Sequence, residues 1–348
     1  FLGVRITCAE CHQHPYDRWT QQDYHGLRGF FQQVSTKPVA GSLSLLAEGN
    51  PVIKHPRTGV EIQPYVLGAT MPESPPKGDR RRVLANWMTA PENPWFARNL
   101  SNRVWAHFLG HGMVMPVDDL RETNPPSNPE LLEALAAHLV KNKYDLKSLM
   151  RLILQSETYR RSSVPLPENK GDHHHFSRYY PRRLMAEVLH DAISSVTQVS
   201  PKFGTITLAD GSTQKTEFYK DGTRALQLFD SAVTSYFLKT FGRNEREITC
   251  ECERSNKPSM VQILHLSNGK TLNENLLNDK SCVNALIKTN TNNIIDEAYL
   301  RCLSRPPSAG ERKHLQAVFA AAPSPERRAV IEDLFWALMT SREFLFQH

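Results

Sequence analysis

The sequence predicts a predominantly α-helical protein, a multi-helix globular domain with long irregular loops and at most a small β-hairpin. Apolar residues recur three and four positions apart over most of the chain after residue 79. Residues that favour helix starts, such as Asp, Asn and Ser, precede several of these stripes. No series of strands supports a doubly wound sheet. Together these observations indicate helices packed on helices.

The first 78 residues divide into two segments. Residues 1–34 indicate a cysteine-bearing turn followed by a helix, because Thr20 and Asp23 have the spacing of a capping box before an apolar stripe. Residues 35–78 are rich in Pro, Gly and Ser and have no sustained period, which is typical of a linker. Short strands are expected near residues 52–53 and 65–67. We therefore expect three parts: the end of an upstream domain (1–34), a linker (35–78) and a helical domain of unknown function (79–348).

Helix signals follow one another in the third part. Asp79 is a candidate N-cap, and Asn93-Pro94 and Asn128-Pro129 pair a cap residue with a helix-starting proline. Ser308 and Glu311 have capping-box spacing, and Ser324-Pro325 is a further helix start. A helix is also expected from about residue 182 to 197. Apolar and polar residues alternate within residues 203–219, and Asp210-Gly211 is a turn signal between them. This pattern predicts a small hairpin.

Composition excludes several classes of protein. The 348 residues are 40% hydrophobic and 22% charged, as in ordinary soluble globular proteins. No apolar run approaches the ~20 residues that span a bilayer. The net charge is +6 and the pI about 9.0, but acidic residues interleave with the basic clusters, so we expect no nucleic-acid partner. The chain opens on Phe1 inside a patterned segment, which indicates that any export signal lies upstream.

The strongest motif is Cys8-x-x-Cys11-His12. This is the attachment pattern of c-type haem, in which both thiols add to the haem vinyl groups and the imidazole ligates iron. Cys8, Cys11 and His12 are therefore candidate haem-binding residues. The opposite axial ligand is left open among His25, Met71, Met113 and Met115. A zinc site and a disulfide or redox pair are the alternatives at this motif.

Zinc would need further ligands beside Cys8 and Cys11. His12 and His14 follow in the same motif, and Cys250 and Cys252 form a second close pair. A separation of two residues is poor geometry for a mutual disulfide, so that pair favours a shared metal or separate partners. If the two cysteine pairs met, they would form a four-cysteine zinc site. Cys282 and Cys302 lie in apolar helical patterns and are expected to be buried thiols.

A third cluster consists of Asp118, Asp119 and Arg121. Paired carboxylates beside an arginine are candidates for acid–base catalysis, for example on a polysaccharide. A loop whose carboxylates pair with arginine is the structural alternative. The run His173–His175 lies in a polar loop and is interpreted as a solvated surface run. Whether the protein is an enzyme stays open at this level.

Eight segments of the chain share the pattern of one known family: residues 1–5, 8–20, 93–99, 102–105, 116–121, 124–129, 250–254 and 343–346. Through these segments the chain resembles the planctomycete cytochrome-c-associated proteins, in which two uncharacterised domains follow a planctomycete-type cytochrome c domain. Residues 1–34 resemble the end of the first domain, and residues 79–348 the second. The resemblance implies export to the periplasm or cell surface and an upstream cytochrome c domain, or another exported redox protein, as partner.

Three functions are therefore predicted. The first is an exported redox-associated protein that binds haem c through Cys8, Cys11 and His12 and acts with the upstream cytochrome domain. The second is a structural or binding module stabilised by zinc or a disulfide. The third is a polysaccharide-active enzyme with Asp118, Asp119 and Arg121 in its site.

Overall fold

A computed structural model describes residues 1–39, 42–208, 210–229, 231–244 and 258–347. The chain divides into two compact units, Phe1–Tyr180 and Pro181–His348. None of the described helices combines the length and the hydropathy that a membrane-spanning segment needs.

Unit 1 is built from five α-helices and two small antiparallel sheets within its described part. Strand β1 pairs with β2, with Val34 opposite Ala47, and β3 pairs with β4, with Ile53 opposite Ile62. A 3₁₀ helix, Thr7–Glu10, precedes α1. The elements are α1 (Gln21–Arg28), β1 (Val34–Val39), β2 (Ser42–Ala47), β3 (Ile53–Lys54), β4 (Glu61–Ile62), α2 (Arg80–Met88), α3 (Phe96–Leu109), α4 (Pro129–Lys141) and α5 (Leu146–Leu154).

Predicted caps start several of these helices. Thr20 and Asp23 form both hydrogen bonds of a capping box on α1, and Asp79 accepts from the backbone N–H of Arg81 at the start of α2. The Asn128 side chain accepts from Leu131 N, with Pro129 as the first residue of α4. The left-handed Gly110 ends α3.

The main core of unit 1 lies between α3, α4 and α5. Trp105 and Leu109 of α3, Leu132 and Leu139 of α4, and Leu149 of α5 are among its buried side chains. They lie on one face of each helix, as the apolar stripes predict. A smaller cluster around Ala9, Trp19 and Leu67 packs beneath the cysteine motif.

Unit 2 is also helical, with two further strand pairs. Within its described part, Arg183 lies opposite Phe346 and Ile206 opposite Gln214. Short 3₁₀ helices span Ala225–Gln227 and Ser324–Glu326. The elements are β5 (Arg182–Arg183), α6 (Ala186–Thr197), β6 (Thr205–Thr207), β7 (Thr213–Lys215), α7 (Tyr236–Thr240), α8 (Met260–Asn268), α9 (Lys270–Leu277), α10 (Cys282–Leu286), α11 (Thr291–Leu303), α12 (Ala309–Ala321), α13 (Arg327–Met339), α14 (Arg342–Leu345) and β8 (Phe346–Gln347).

The core of unit 2 is one apolar cluster. It includes Leu189 and Ile193 of α6, Ile295 of α11, and Ile331 and Phe335 of α13. Ser308 and Glu311 form the predicted capping box of α12. Cys282 and Cys302 are buried, as predicted, and burial raises the pKa of the Cys302 thiol to about 12.

The predominantly helical fold class is confirmed, but the described part contains four two-stranded sheets where the sequence predicts at most a small hairpin, and some element boundaries differ. The helix expected from residue 182 begins at Ala186, because Arg182 and Arg183 pair with β8 instead. The strand expected near residues 65–67 lies at Glu61–Ile62, while Tyr65 and Leu67 are buried outside any strand. The hairpin predicted within 203–219 is present as β6 and β7. The division at residues 34 and 78 stays a prediction.

Candidate functional site

The motif cysteines lie on a single short turn. Thr7–Glu10 is a 3₁₀ helix, and Cys11 follows as its C-cap with helical backbone angles. A 3₁₀ helix has three residues per turn, so side chains at positions i and i+3 eclipse one another. Cys8 and Cys11 therefore project from the same side. Both thiols are exposed and free, whereas Ala9 between them is 0% exposed and packs inward.

His12 is exposed directly after this turn. Its Nδ1 lies 2.7 Å from the backbone oxygen of Gln13. A carbonyl oxygen only accepts hydrogen bonds, so Nδ1 carries the proton in this contact. In the neutral imidazole this leaves the lone pair on Nε2. Histidines that ligate metals commonly hold their second nitrogen in this way.

His14 has the opposite arrangement. Its Nδ1 accepts a hydrogen bond from the backbone N–H of Tyr16 at 3.2 Å. In the neutral imidazole, the proton is therefore on Nε2, which is the nitrogen that would otherwise ligate. The backbone N–H of His14 donates to Trp19 O at 2.9 Å, which closes the loop between them. Of the two histidines, His12 is the better prepared ligand.

The chain segment before the motif is fixed to α3 and to the loop after it. The Asn99 side chain donates to the Phe1 carbonyl at 2.9 Å, and the Leu120 N–H donates to the Gly3 carbonyl at 2.8 Å. Gly3 has φ +69°, and a Cβ there would lie 2.7 Å from Leu120 Cδ1 and 2.9 Å from Asn99 Oδ1. Only glycine satisfies both the left-handed backbone and this close approach.

Aromatic contacts hold the segment that follows the motif. Trp19 is buried, and its ring meets that of Trp95 edge-on at 5.9 Å. The Arg18 guanidinium lies over the Trp19 ring at 4.8 Å, and that of Arg121 over the Tyr16 ring at 5.7 Å. Tyr16 and Trp19 thus contact residues of the later helical region.

The predicted catalytic carboxylates are engaged in ion pairs. Asp118 accepts from Arg5 at 2.6 Å, which raises the pKa of the Arg5 guanidinium. Asp119 is 3% exposed and pairs with Arg121 at 3.2 Å. These contacts favour the structural interpretation of the cluster. Its catalytic role stays a prediction.

The loop that carries these carboxylates is held by two asparagines. Buried Asn102 on α3 donates to Val114 O and Val117 O, both at 3.0 Å, and accepts from Val114 N at 3.1 Å. Asn124 donates to Met115 O at 3.1 Å and to Asp119 O at 2.8 Å. Five hydrogen bonds therefore fix the loop that in turn holds residues 1–19.

The four candidate axial ligands differ in accessibility. His25 is 5% exposed on α1, and Met113 is buried in the α3–α5 core. Burial lowers the pKa of His25, with smaller contributions from Arg28 and His55. Met71 and Met115 are exposed, and the Met71 sulfur accepts from Gln22 Nε2 at 3.7 Å and Gln63 N at 3.4 Å. The two exposed methionines are therefore the accessible candidates.

The second predicted cysteine pair, Cys250 and Cys252, lies outside the described residues. Within the described part, no three His, Cys, Asp or Glu side chains converge as a bound metal ion requires. His173–His175 are exposed as predicted, and the backbone N–H groups of His174 and His175 donate to the Asp172 carboxylate.

Two contributors to the site were not predicted from the sequence. One is the backbone carbonyl of Gln13, which selects the His12 tautomer. Every residue has a backbone carbonyl, so the sequence does not show which one contacts the imidazole. The other is Tyr16, whose exposed ring lies under Arg121. The aromatic side chain of Tyr16, two positions after His14, was the sequence signal that could have suggested this contact.

Comparison with known proteins identifies both parts of this arrangement. Residues 1–36 match PSCyt2, a protein of unknown function (DUF1549). No curated protein and no solved structure matches the chain. Residues 80–319, well over half of the chain, match PSD1, a protein of unknown function (DUF1553). The chain belongs to this PSD1 family of planctomycete cytochrome-c-associated proteins.

Proposed function

We propose that this protein is an exported, redox-associated protein that attaches haem c through Cys8 and Cys11 and ligates its iron with His12. It acts in the periplasm or at the cell surface with an upstream cytochrome c domain. The family supports the association with a cytochrome domain. The motif supports covalent attachment in this chain itself.

The observation that carries the proposal is the placement of the two thiols. Cys8 and Cys11 are free, exposed and eclipsed on one face of the 3₁₀ turn. Attachment forms one thioether at each cysteine when its S–H adds across a vinyl C=C bond, so no oxidant is needed. Thiols on one face can reach two neighbouring vinyl groups of one macrocycle.

The residues present fit the group. His12 follows the second thiol, and its Nδ1–H contact with Gln13 leaves Nε2 free to ligate. The inward face of the turn packs through Ala9, so the thiols have a fixed base. Bound haem supplies one-electron transfer at its iron.

The test is expression of the exported protein together with a cytochrome c maturation system. We expect a haem-stained band that survives denaturation, and its loss in Cys8→Ala/Cys11→Ala. The matched control is Cys282→Ala/Cys302→Ala, which removes two buried thiols elsewhere and should leave the stain. His12→Ala should retain covalent haem but shift its absorption spectrum.

A protein that matures without the stained band overturns the haem proposal. Stoichiometric zinc without iron, lost in the Cys8/Cys11 variant, would instead assign the motif to a structural metal site. The ion pairs of Asp118 and Asp119 favour no enzymatic role, and we base no proposal on them.

A further inference from the structure

A groove in unit 2 has no part in the proposed haem site. It is a cavity of about 280 Å³, bordered by the C-terminal half of α6, the residues just after it, and a loop around Gly222. Its lining combines apolar surface with several polar side chains. Ser194, Ser195, Gln198, Ser200 and Arg224 contribute hydroxyl, amide and guanidinium groups.

One wall of the groove is rigidly fixed by Asp191 of α6. Its Oδ1 accepts from the Ala225 N–H at 2.6 Å, and its Oδ2 accepts from the Leu226 N–H at 3.1 Å. Both carboxylate oxygens therefore serve the 3₁₀ helix Ala225–Gln227. These two N–H groups stabilise the negative charge of Asp191. They also fix the loop that carries Arg224 to α6.

Arg224 is the second charged side chain in the lining of the groove, and it differs from Asp191 in how it is held. It is exposed, and no hydrogen bond or ion pair holds its guanidinium within the part of the chain that the structure describes. Nearby, Lys202 and Asp221 pair with each other at 3.3 Å. A groove lined by one guanidinium and several serine hydroxyls suits a ligand that carries both an anionic group and hydroxyl groups.

The same loop presents aromatic rings to solvent. Phe218 is 76% exposed and Phe229 is 61% exposed, with ring centroids 5.5 Å apart. Tyr219 adjoins Phe229 at 5.3 Å. Phe218 is four residues before Gly222, so its backbone lies within about 14 Å of the groove. Clustered exposed rings of this kind mark interaction sites.

Taken together, these features point to one ligand class. The apolar C–H faces of sugar rings pack on aromatic side chains, while their hydroxyl groups hydrogen-bond to Ser, Gln and Arg. The Arg224 guanidinium in the groove suits occasional acidic groups along a sugar chain. Single-stranded nucleic acid, by contrast, needs a track of cations for successive phosphates, whereas the described lining of the groove offers the cation of Arg224 beside the carboxylate of Asp191.

We propose that unit 2 binds an acidic oligosaccharide, with sugar rings on Phe218 and Phe229 and an anionic substituent on Arg224. Binding is non-covalent and involves no cleavage. This inference is independent of the haem proposal, because none of its residues lies in unit 1.

The test is an array of immobilised polysaccharides in which each acidic member, such as polygalacturonate, is paired with its methyl-esterified neutral form. We expect the purified protein to bind acidic members and to bind their neutral partners at least tenfold more weakly. Phe218→Ala/Phe229→Ala should weaken binding about tenfold or more. Arg224→Gln should weaken binding to acidic members about tenfold and abolish their preference. Phe31→Ala, an exposed ring in unit 1, is the matched control and should bind normally.

Thermal melts of each variant show whether a loss of binding reflects unfolding. Replacing exposed rings should leave the melting temperature unchanged. The proposal is overturned if no acidic member binds. It is also overturned if binding survives all three substitutions, or if a single-stranded oligonucleotide binds the groove more tightly than every polysaccharide.

Discussion

Replacing Asn102 by alanine should reveal how strongly α3 holds the loop that carries Asp118 and Asp119 and contacts residues 1–5. Asn102 is 0% exposed and makes three hydrogen bonds to the backbone of Val114 and Val117. Each such bond contributes about 1 kcal/mol net. Asn102→Ala should therefore lower the free energy of unfolding by about 3 kcal/mol, since the abandoned N–H and C=O groups of Val114 are buried away from water.

Asn124 provides the matched control. It also donates to two carbonyls of this loop but is only partly buried, so water can replace its amide. Asn124→Ala should cost about 1 kcal/mol or less. The contrast between the two variants isolates burial as the cause.

The assay is urea unfolding followed by tryptophan fluorescence. Four of the five tryptophans, Trp19, Trp87, Trp95 and Trp105, lie in unit 1, so the signal reports mainly on that unit. With a slope of about 2 kcal/mol/M, Asn102→Ala should lower the midpoint by roughly 1.5 M. An Asn102→Ala midpoint equal to or above that of Asn124→Ala would refute the reasoning.

Three further predictions concern single positions. Gly3→Ala should destabilise unit 1 by about 2 kcal/mol or more in the same assay, because the left-handed backbone and Leu120 both oppose a Cβ; an unchanged midpoint would contradict this. Leu149→Ala should lower the free energy of unfolding by about 2–5 kcal/mol, whereas Leu152→Ala, on the exposed side of α5, should lower it by less than about 1 kcal/mol. Equal losses of stability in the two variants would show that burial does not decide the cost. Burial lowers the pKa of His190, so the unfolded chain binds its proton more readily, and stability of unit 2 should fall as pH drops below about 6.5. Thermal melts from pH 7.5 to 5 should show this fall reduced in His190→Phe, and an identical pH profile in both proteins would exclude His190 as a contributor.

Local signals in the sequence predicted much of the helical architecture. The capping boxes at Thr20 and Ser308 and the helix starts at Asp79 and Asn128 all appear where the pattern indicates. These signals join residues within one helical turn, so they can be recognised in the sequence without knowledge of the tertiary structure. The start predicted near Arg182 was wrong because pairing with residues 346–347, far along the chain, overrode it.

The site itself could be predicted only in part. The motif identified Cys8, Cys11 and His12, and the structure adds that the thiols are free and exposed. The contacts that hold the motif, such as Leu120 N–H to Gly3 O, join residues more than a hundred positions apart. Such pairings arise from packing and leave no periodic signal. Phe218 and Phe229 were visible as aromatic residues, but their exposure was not.

The attachment of residues 1–5 to α3 has a consequence for how this protein can evolve. The family match that begins at residue 80 and the match that ends at residue 36 meet inside one compact unit. A gene that kept the later segment and lost the earlier one would leave Asn99 and Leu120 without their backbone partners and uncover Trp95. The two segments should therefore be inherited together, and recombination between them should be selected against even where the cysteine motif itself is dispensable.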